Sequence, residues 1–346
     1  MLKRSEREDK FTSTGVKWWR HQEAMLNYKS GNPNTVISTH IAPEGACNLK
    51  CPYCSVTYRD VHERIDLDVI KKYVLDLKSR GLKAAILTGG GEPTGYKHFN
   101  DLVRFIHGEG LKVALINNGT LTRRIDDDVL KMFTWVRVSV NMFPGWEEKI
   151  KFPFEKVSDD CIIGCSSVFT TRHESPEDTE NAIEMFEKIS KVADNCGAKY
   201  IRLLPDCLLK EDEIAEKHKE LDEILKQVND DRYFHQYKIH KTPQTSKCHQ
   251  SYFVPYLSEV GGGTVFPCCS VVFNGSVGKF SEQWALCKAE DVLEYIDGRI
   301  PQPFDAQKHC RQCVYSHNIN MLDDWVNNKI DRFDEFDQPL VHEEFV

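Results

Sequence analysis

Between about residues 35 and 205 the chain alternates short apolar runs with stretches of helical periodicity. The run TVISTHIA (35–42) predicts a strand. IDLDVIKKYVLDLKSRG (65–81) puts apolar residues at 65, 67, 70, 74 and 77, close to one helical face, and stops at a glycine. AAILTGGGEP (84–93) predicts a buried strand that runs into a glycine-rich loop, and HFNDLVRFIHGEG (98–110) the next helix. VALINNGT (113–120) and VRVSVN (136–141) predict strands around a short helix, DDVLKMF (127–133). CIIGCSSVFT (161–170) and YIRLLP (200–205) predict strands flanking the long helix PEDTENAIEMFEKISKVADNCG (176–197), which has proline near its start and glycine at its end.

About six β–α units in succession imply a parallel sheet with helices packed outside. Right-handed crossovers would curl it into a partial (β/α)6 TIM-like barrel. In such folds ligands sit at the C-terminal strand ends, and the glycine-rich loop, NNGT and SVN all lie there. Residues 1–34 are polar and end in a turn-rich GNPN; they read as an N-terminal arm, with Trp18 and Trp19 as packing anchors. The barrel is assigned to 35–206 and a charged, solvated linker helix to 207–239. Beyond it periodicity weakens and glycines and aromatics rise, so a small α+β domain is placed at 240–325 and an acidic tail at 326–346, disordered or packed across the barrel mouth. The aromatics Tyr252, Phe253, Tyr256 and Trp284 are assigned to the core of that domain.

The 346 residues, 40% hydrophobic and 28% charged, fit an ordinary globular protein. A net charge of −8 argues against a nucleic-acid polymer as the main ligand and leaves room for a nucleotide-sized substrate. No apolar run approaches the roughly 20 residues that span a bilayer. The polar N-terminus has no apolar signal core. A cytoplasmic location with reduced thiols is therefore expected. Thirteen cysteines then need a reason. Cys161, Cys165, Cys196 and Cys207 lie in strand-like or helix-like stretches and read as small buried hydrophobes. The groups at 47/51/54, 268/269 and 310/313 do not.

EGACNLKCPYCSV spaces three thiols as Cys-x3-Cys-x2-Cys at Cys47, Cys51 and Cys54. A closed zinc site wants four protein ligands, and no fourth Cys or His follows at a short regular spacing. Iron–sulfur clusters also usually take four. Three thiols from one loop point to a cluster with one open iron, with structural zinc as the alternative.

CNLKCPYC, with Tyr53 just before the last cysteine, resembles the motif of the radical S-adenosylmethionine (SAM) superfamily. The resemblance runs over about residues 35–205 and implies a [4Fe–4S] cluster whose open iron chelates SAM and cleaves it to a 5′-deoxyadenosyl radical. Gly90, Gly91, Glu92 and Pro93 resemble the family's GGEP segment at the methionyl amino group. Asn117, Asn118 and Gly119 resemble the segment near the ribose. Ser139 and Asn141 stand where the family often has Ser-x-Asp, the asparagine being a departure. Arg202 is a candidate partner for the SAM carboxylate or, equally, one half of a structural ion pair.

Cys248, Cys268, Cys310 and Cys313 make a second set of four thiols, complete for a closed [4Fe–4S] cluster or for zinc. Cys-x(n)-Gly-x4-Cys, with Gly263 before Cys268, followed by Cys-x2-Cys, is similar to the auxiliary-cluster domains called SPASM and, in shortened form, Twitch. No further cysteines follow Cys313, which favours the Twitch form. Cys269 is a possible substitute for Cys268, and Cys287 is left unassigned.

The resemblance implies two [4Fe–4S] clusters, SAM, and an electron donor such as flavodoxin or ferredoxin. A closed auxiliary cluster suits electron transfer. The leading expectation is hydrogen abstraction from a small molecule followed by oxidation, the auxiliary cluster taking the electron. Peptide modification, a redox-neutral rearrangement of a nucleoside or sugar derivative, and a non-catalytic zinc- or cluster-binding protein are the alternatives. His40, His249 and Arg202 are candidate proton acceptors, and for His40 the role of a satisfied core residue is the preferred reading.

Overall fold

The computed structural model describes residues 6–12, 15–170, 176–238, 240–274, 280–331 and 340–346. Seven strands run in chain order: β1 (Ser38–Ile41), β2 (Ala84–Leu87), β3 (Lys112–Asn117), β4 (Phe133–Ser139), β5 (Ile162–Phe169), β6 (Tyr200–Pro205) and β7 (Tyr233–His235). Each pairs in parallel with the next. The fold is a mixed α/β partial barrel, its strands read from the apolar runs to within a few residues.

The reason is burial on both faces. All four residues of β2 are buried, as expected for a parallel strand covered on one side by helices and on the other by the barrel interior. The helix Leu67–Lys78 turns Ile70, Tyr73, Val74 and Leu77 inward, a spacing that holds one helical face against the sheet. Phe99–Gly108 does the same with Phe99, Leu102, Val103 and Ile106. A separate small cluster of Ala84, Ile86, Ala114, Trp135 and Phe345 fills part of the barrel interior.

Two features depart from the sequence-based expectation. The segment 207–239 is not one solvated helix. A helix spans Glu211–Leu225, and β7 then adds to the barrel edge. His218 on that helix and His235 on β7 are buried and bonded to each other at 2.6 Å, with His235 Nδ1 2.7 Å from the Asp222 carboxylate. The second departure is the join between the two parts. Segment 240–325 supplies β8 (Tyr256–Ser258), β9 (Thr264–Phe266) and β10 (Cys287–Lys288), and β8 pairs in parallel with β1. One ten-stranded sheet therefore carries both parts, in the order β10-β9-β8-β1-β2-β3-β4-β5-β6-β7. A two-pronged ion pair, Arg80 to Asp297 at 2.7 and 2.9 Å, fastens the outer layer across the same join.

The N-terminal segment packs as expected: Trp18 meets Phe253 edge-on at 5.0 Å and Trp19 meets Trp325 at 5.9 Å. Tyr252, Phe253, Tyr256 and Trp284 are buried core residues. Of the acidic tail, residues 332–339 lie outside the described residues. Residues 340–346 pack at the end of the barrel where the strands begin. Phe345 stands against Trp135, and Ser38 Oγ donates to the Val346 carbonyl. Among the described residues, no helix is long and apolar enough to cross a membrane.

Candidate active site

A cleft of about 250 Å³ opens at the C-terminal ends of β1–β4. The loop after β1 brings Cys47, Cys51 and Cys54 to it. Gly89, Gly90, Gly91 and Glu92 arrive from β2, and Asn117 and Asn118 from β3. Tyr53, Ser139 and Asn141 complete the wall.

The cysteine loop is fixed by the glycine-rich loop. Gly91 N–H donates to the Glu44 carbonyl at 2.7 Å, and Glu92 N–H donates to that of Ala46 at 2.8 Å. The two backbones run too close for side chains. A Cβ on Gly91 would stand 1.9 Å from the Ala46 oxygen. A Cβ on Gly90 would stand equally close, 1.9 Å, to Oε1 of Glu259.

Glu92 is 3% exposed and braces the site from within. Its carboxylate accepts from Thr94 N at 3.1 Å and from Asn118 N at 2.7 Å, tying the β2 loop to the β3 loop. Burial pushes its pKa up to about 7, against the pull of those donors. Asn118 donates to Asn48 Oδ1 at 2.9 Å, which holds the cysteine loop from the other side. Tyr53 OH donates to Asn141 Oδ1 at 3.1 Å, so asparagine at 141 is used as an acceptor inside the protein. Asn117 accepts from Gly119 N through Oδ1, but its buried Nδ2 finds no partner within the protein. That donor is free for a ligand in the cleft.

The donor chemistry fits a cluster and SAM. None of the thirteen cysteines is in a disulfide. Burial pushes Cys51 up to about 11 and raises Cys47 as well, so a metal there must displace thiol protons. The Arg59 guanidinium donates to Cys54 Sγ at 3.4 Å and to the Gly45 carbonyl at 2.7 Å, placing a positive charge on the loop. Among the described residues, no three His, Cys, Asp or Glu side chains converge as tightly as a single metal ion requires. A cubane several atoms across holds its thiolates farther apart than one zinc would.

Arg202 does not reach this cleft. Its position on β6 and its bonds to Gln236 Oε1 (2.9 Å) and Ser166 Oγ (3.0 Å) hold it in a second, inner cavity of about 180 Å³. The structure records no ion pair for it either. Thr88 and Ile116 line both spaces, so the inner cavity abuts the cleft. His40 lines the inner cavity. His249 is elsewhere and fully engaged, with Tyr28 OH at 2.9 Å and Asp323 at 3.1 Å.

The second cysteine group lies together. Burial raises Cys268 well above the usual thiol range, and it feels the charges of Cys269, Cys313, Cys248 and Cys310. Burial likewise pushes Cys248 up to about 12 and Cys310 up to about 11. Its neighbour Cys269 points the other way, into the inner cavity. There burial opposes ionisation, but the His40 ring and the Tyr315 hydroxyl lower its pKa. Cys287 sits on β10 near Asp291 and Tyr73, away from the other thiols.

Sequence reasoning passed over one residue that lines the cleft, Arg59, and one that backs its glycine-rich loop, Glu259. Arg59 follows Cys54 within the same loop, and that proximity was its only signal. Glu259 comes from beyond β8, is 1% exposed, and has an Oε1 without a partner within the protein. Nothing local in the sequence marks it.

Residues 43–196, which carry the cysteine loop, the glycine-rich loop and β2–β5, match the family model of the radical SAM superfamily. This part of the chain is a radical SAM domain. Over 85 residues it is 34% identical to the S-adenosylmethionine-dependent nucleotide dehydratase of Selenomonas ruminantium, covering 25% of this chain and 30% of that protein. Over 95 residues it is 34% identical to the Fe-coproporphyrin III synthase of Methanosarcina barkeri, covering 27% of this chain and 23% of that one. The match spans less than a third of either relative's length. Among solved structures, Streptococcus suis SuiB bound to S-adenosylmethionine shares the fold at a TM-score of 0.52 and 14% identity, over 81% of this chain and 71% of that chain.

Proposed function

We propose that this radical SAM protein is an enzyme that oxidises a small molecule, using a second cluster as electron acceptor. One observation carries the reading: the three thiols of a single loop, a glycine backbone and an unpaired Asn117 amide share one cleft, and that cleft abuts an inner cavity. When bound, a [4Fe–4S] cluster with SAM supplies a 5′-deoxyadenosyl radical able to take a hydrogen atom, and an auxiliary cluster supplies a sink for the electron the product gives up.

The chain's own residues do the rest. Cys47, Cys51 and Cys54 are the ligands of the first cluster, and Cys248, Cys268, Cys310 and Cys313 those of the second. Gly90, Gly91 and Asn117 offer backbone and amide groups to SAM. Tyr53 and Asn141, bonded to each other, and Ser139 shape the adenosine side. The inner cavity, of about 180 Å³, suits a small molecule better than a peptide. His40 is the proton acceptor in reach of that cavity. A flavodoxin or ferredoxin in a reducing cytoplasm would supply the starting electron.

The test is anaerobic reconstitution. About eight irons with matching sulfide are expected, and about four in the Cys47→Ala, Cys51→Ala, Cys54→Ala triple variant. The wild type should release 5′-deoxyadenosine under strong reductant and the triple variant none. Zinc without sulfide at either group, or no 5′-deoxyadenosine, would overturn the reading.

A further inference from the structure

We propose that the inner cavity is the substrate site and that it takes a small molecule bearing an anionic oxygen group, a carboxylate or a phosphate, gripped by Arg137, Arg202 and Lys238. The substrate role rests on the radical SAM reading above; the anion preference rests on the cavity itself.

Besides Lys17, three cationic side chains line this space from separate elements: Arg137 on β4, Arg202 on β6 and Lys238 just past β7. Among the described residues no carboxylate lines it. Among the described residues none of the three takes part in an ion pair with a carboxylate. Arg137 donates only to neutral groups, the Tyr200 hydroxyl at 3.3 Å and the Phe11 carbonyl at 3.2 Å. Arg202 donates to Gln236 and Ser166, also neutral, and its buried Nε has no partner within the protein.

Buried charges are normally paired, because desolvation costs far more than neutral hydrogen bonds return. Here two guanidinium groups and the Lys238 ammonium share one space with no carboxylate among its described lining residues; the Cys269 thiol, which lies within the field of Lys238, is an acidic side chain near them. Burial and the nearby Arg137 push Arg202 down to about 9, the direction expected of cations that repel one another. Lys17, at the floor, is a different case. It donates to the His342 carbonyl at 3.3 Å and feels Glu343 and Glu344 of the tail, so its charge is partly answered from inside the protein. The unanswered charge lies on the walls, next to Thr88 and Ile116, where the cavity meets the cleft. An anionic group held there would place the rest of a small molecule toward the radical source. Guanidinium forks suit carboxylate and phosphate oxygens alike.

The test is titration of the reconstituted full chain with inorganic phosphate, with malonate and with neutral glycerol, followed by calorimetry. Phosphate or malonate should bind at millimolar concentration, and whichever binds more tightly identifies the head group; glycerol should not bind. Lys238→Met removes a side chain with no recorded partner, and Arg202→Gln keeps a polar group at β6. Each should weaken the anion roughly tenfold or more while leaving SAM affinity unchanged. The proposal is overturned if neither anion binds the wild type, or if both variants bind as the wild type does. Anion binding without any 5′-deoxyadenosine would sink the radical reading and leave the cavity's preference standing; 5′-deoxyadenosine without anion binding would do the reverse.

Discussion

Alanine at position 91 should disable SAM cleavage without unfolding the protein. The added methyl would stand 1.9 Å from the Ala46 carbonyl oxygen and 2.7 Å from the Gly45 carbonyl carbon, both backbone atoms of the loop that carries Cys47. Cβ atoms essentially never approach other atoms closer than 3.0 Å, so one loop must recede by about 1 Å. Two backbone hydrogen bonds, Gly91 to Glu44 and Glu92 to Ala46, span that seam. Losing both costs roughly 2 kcal/mol, a tolerable fraction of a domain's stability. The functional cost is larger. A displacement of about 1 Å at a reacting centre lowers rates by up to roughly 10²-fold.

The assay is 5′-deoxyadenosine formation by the reconstituted protein, read beside SAM affinity and iron content. Gly91→Ala is expected to lose most cleavage and to weaken SAM, while the second cysteine group keeps its iron. Gly108→Ala is the control. It closes the helix Phe99–Gly108 and a Cβ there meets nothing within 4 Å, so all three readouts should match the wild type. Wild-type cleavage in Gly91→Ala, or equal losses in both variants, would refute the argument that close backbone approach sets this loop.

Three further outcomes are expected. Cys268→Ala should lose about four of about eight irons, whereas Cys269→Ala should keep them, because only Cys268 stands among the other three thiols; equal iron in the two variants would contradict this. Stability should fall as pH drops below the unfolded histidine value. Burial holds His218, His21 and His240 down at about 4, so between pH 6.5 and 4 the unfolded chain binds protons the folded chain refuses. The loss is roughly 1.4 kcal/mol per pH unit for each such proton. Urea midpoints across that window should slope less in His218→Gln, and an unchanged slope would remove His218 from the account. Finally, Arg80→Ala should cost about 1 kcal/mol in urea unfolding, since the pair with Asp297 is bidentate yet lies near the surface; a neutral result would mean that solvent already satisfies both groups.

How much of this was readable beforehand follows from where each signal lives. The barrel strands were legible because parallel strands buried on both faces must be written as apolar runs, and AAIL and YIRLLP are such runs. The first site was legible because its parts are local. Cys47, Cys51 and Cys54 share one loop, and Gly90, Gly91, Asn117, Asn118, Ser139 and Asn141 each follow or end a strand, so parallel topology alone delivers them to one end of the sheet. β7 was hidden because a strand of three residues, Tyr233–His235, is too short to show a period. The join of β8 to β1 was hidden because pairing across more than two hundred residues leaves no local mark.

The inner cavity shows the same limit in its strongest form. Arg137 and Arg202 stand within strands and Lys238 just past one, and for Arg202 the sequence offers only two alternatives, a partner for the SAM carboxylate or one half of a structural ion pair. What distinguishes them is the lack of any carboxylate facing them, and a missing partner cannot be seen until three separate elements are folded together. Glu259 is the converse. It is an acid 169 residues from Gly90, yet its carboxylate fills the space that a side chain at Gly90 would occupy. Chemistry built within one loop can be read from spacing. Chemistry built by opposing elements across a lumen becomes visible only with the register of the sheet, which is why the thiols of the cleft could be grouped from the sequence and the cations of the inner cavity could not.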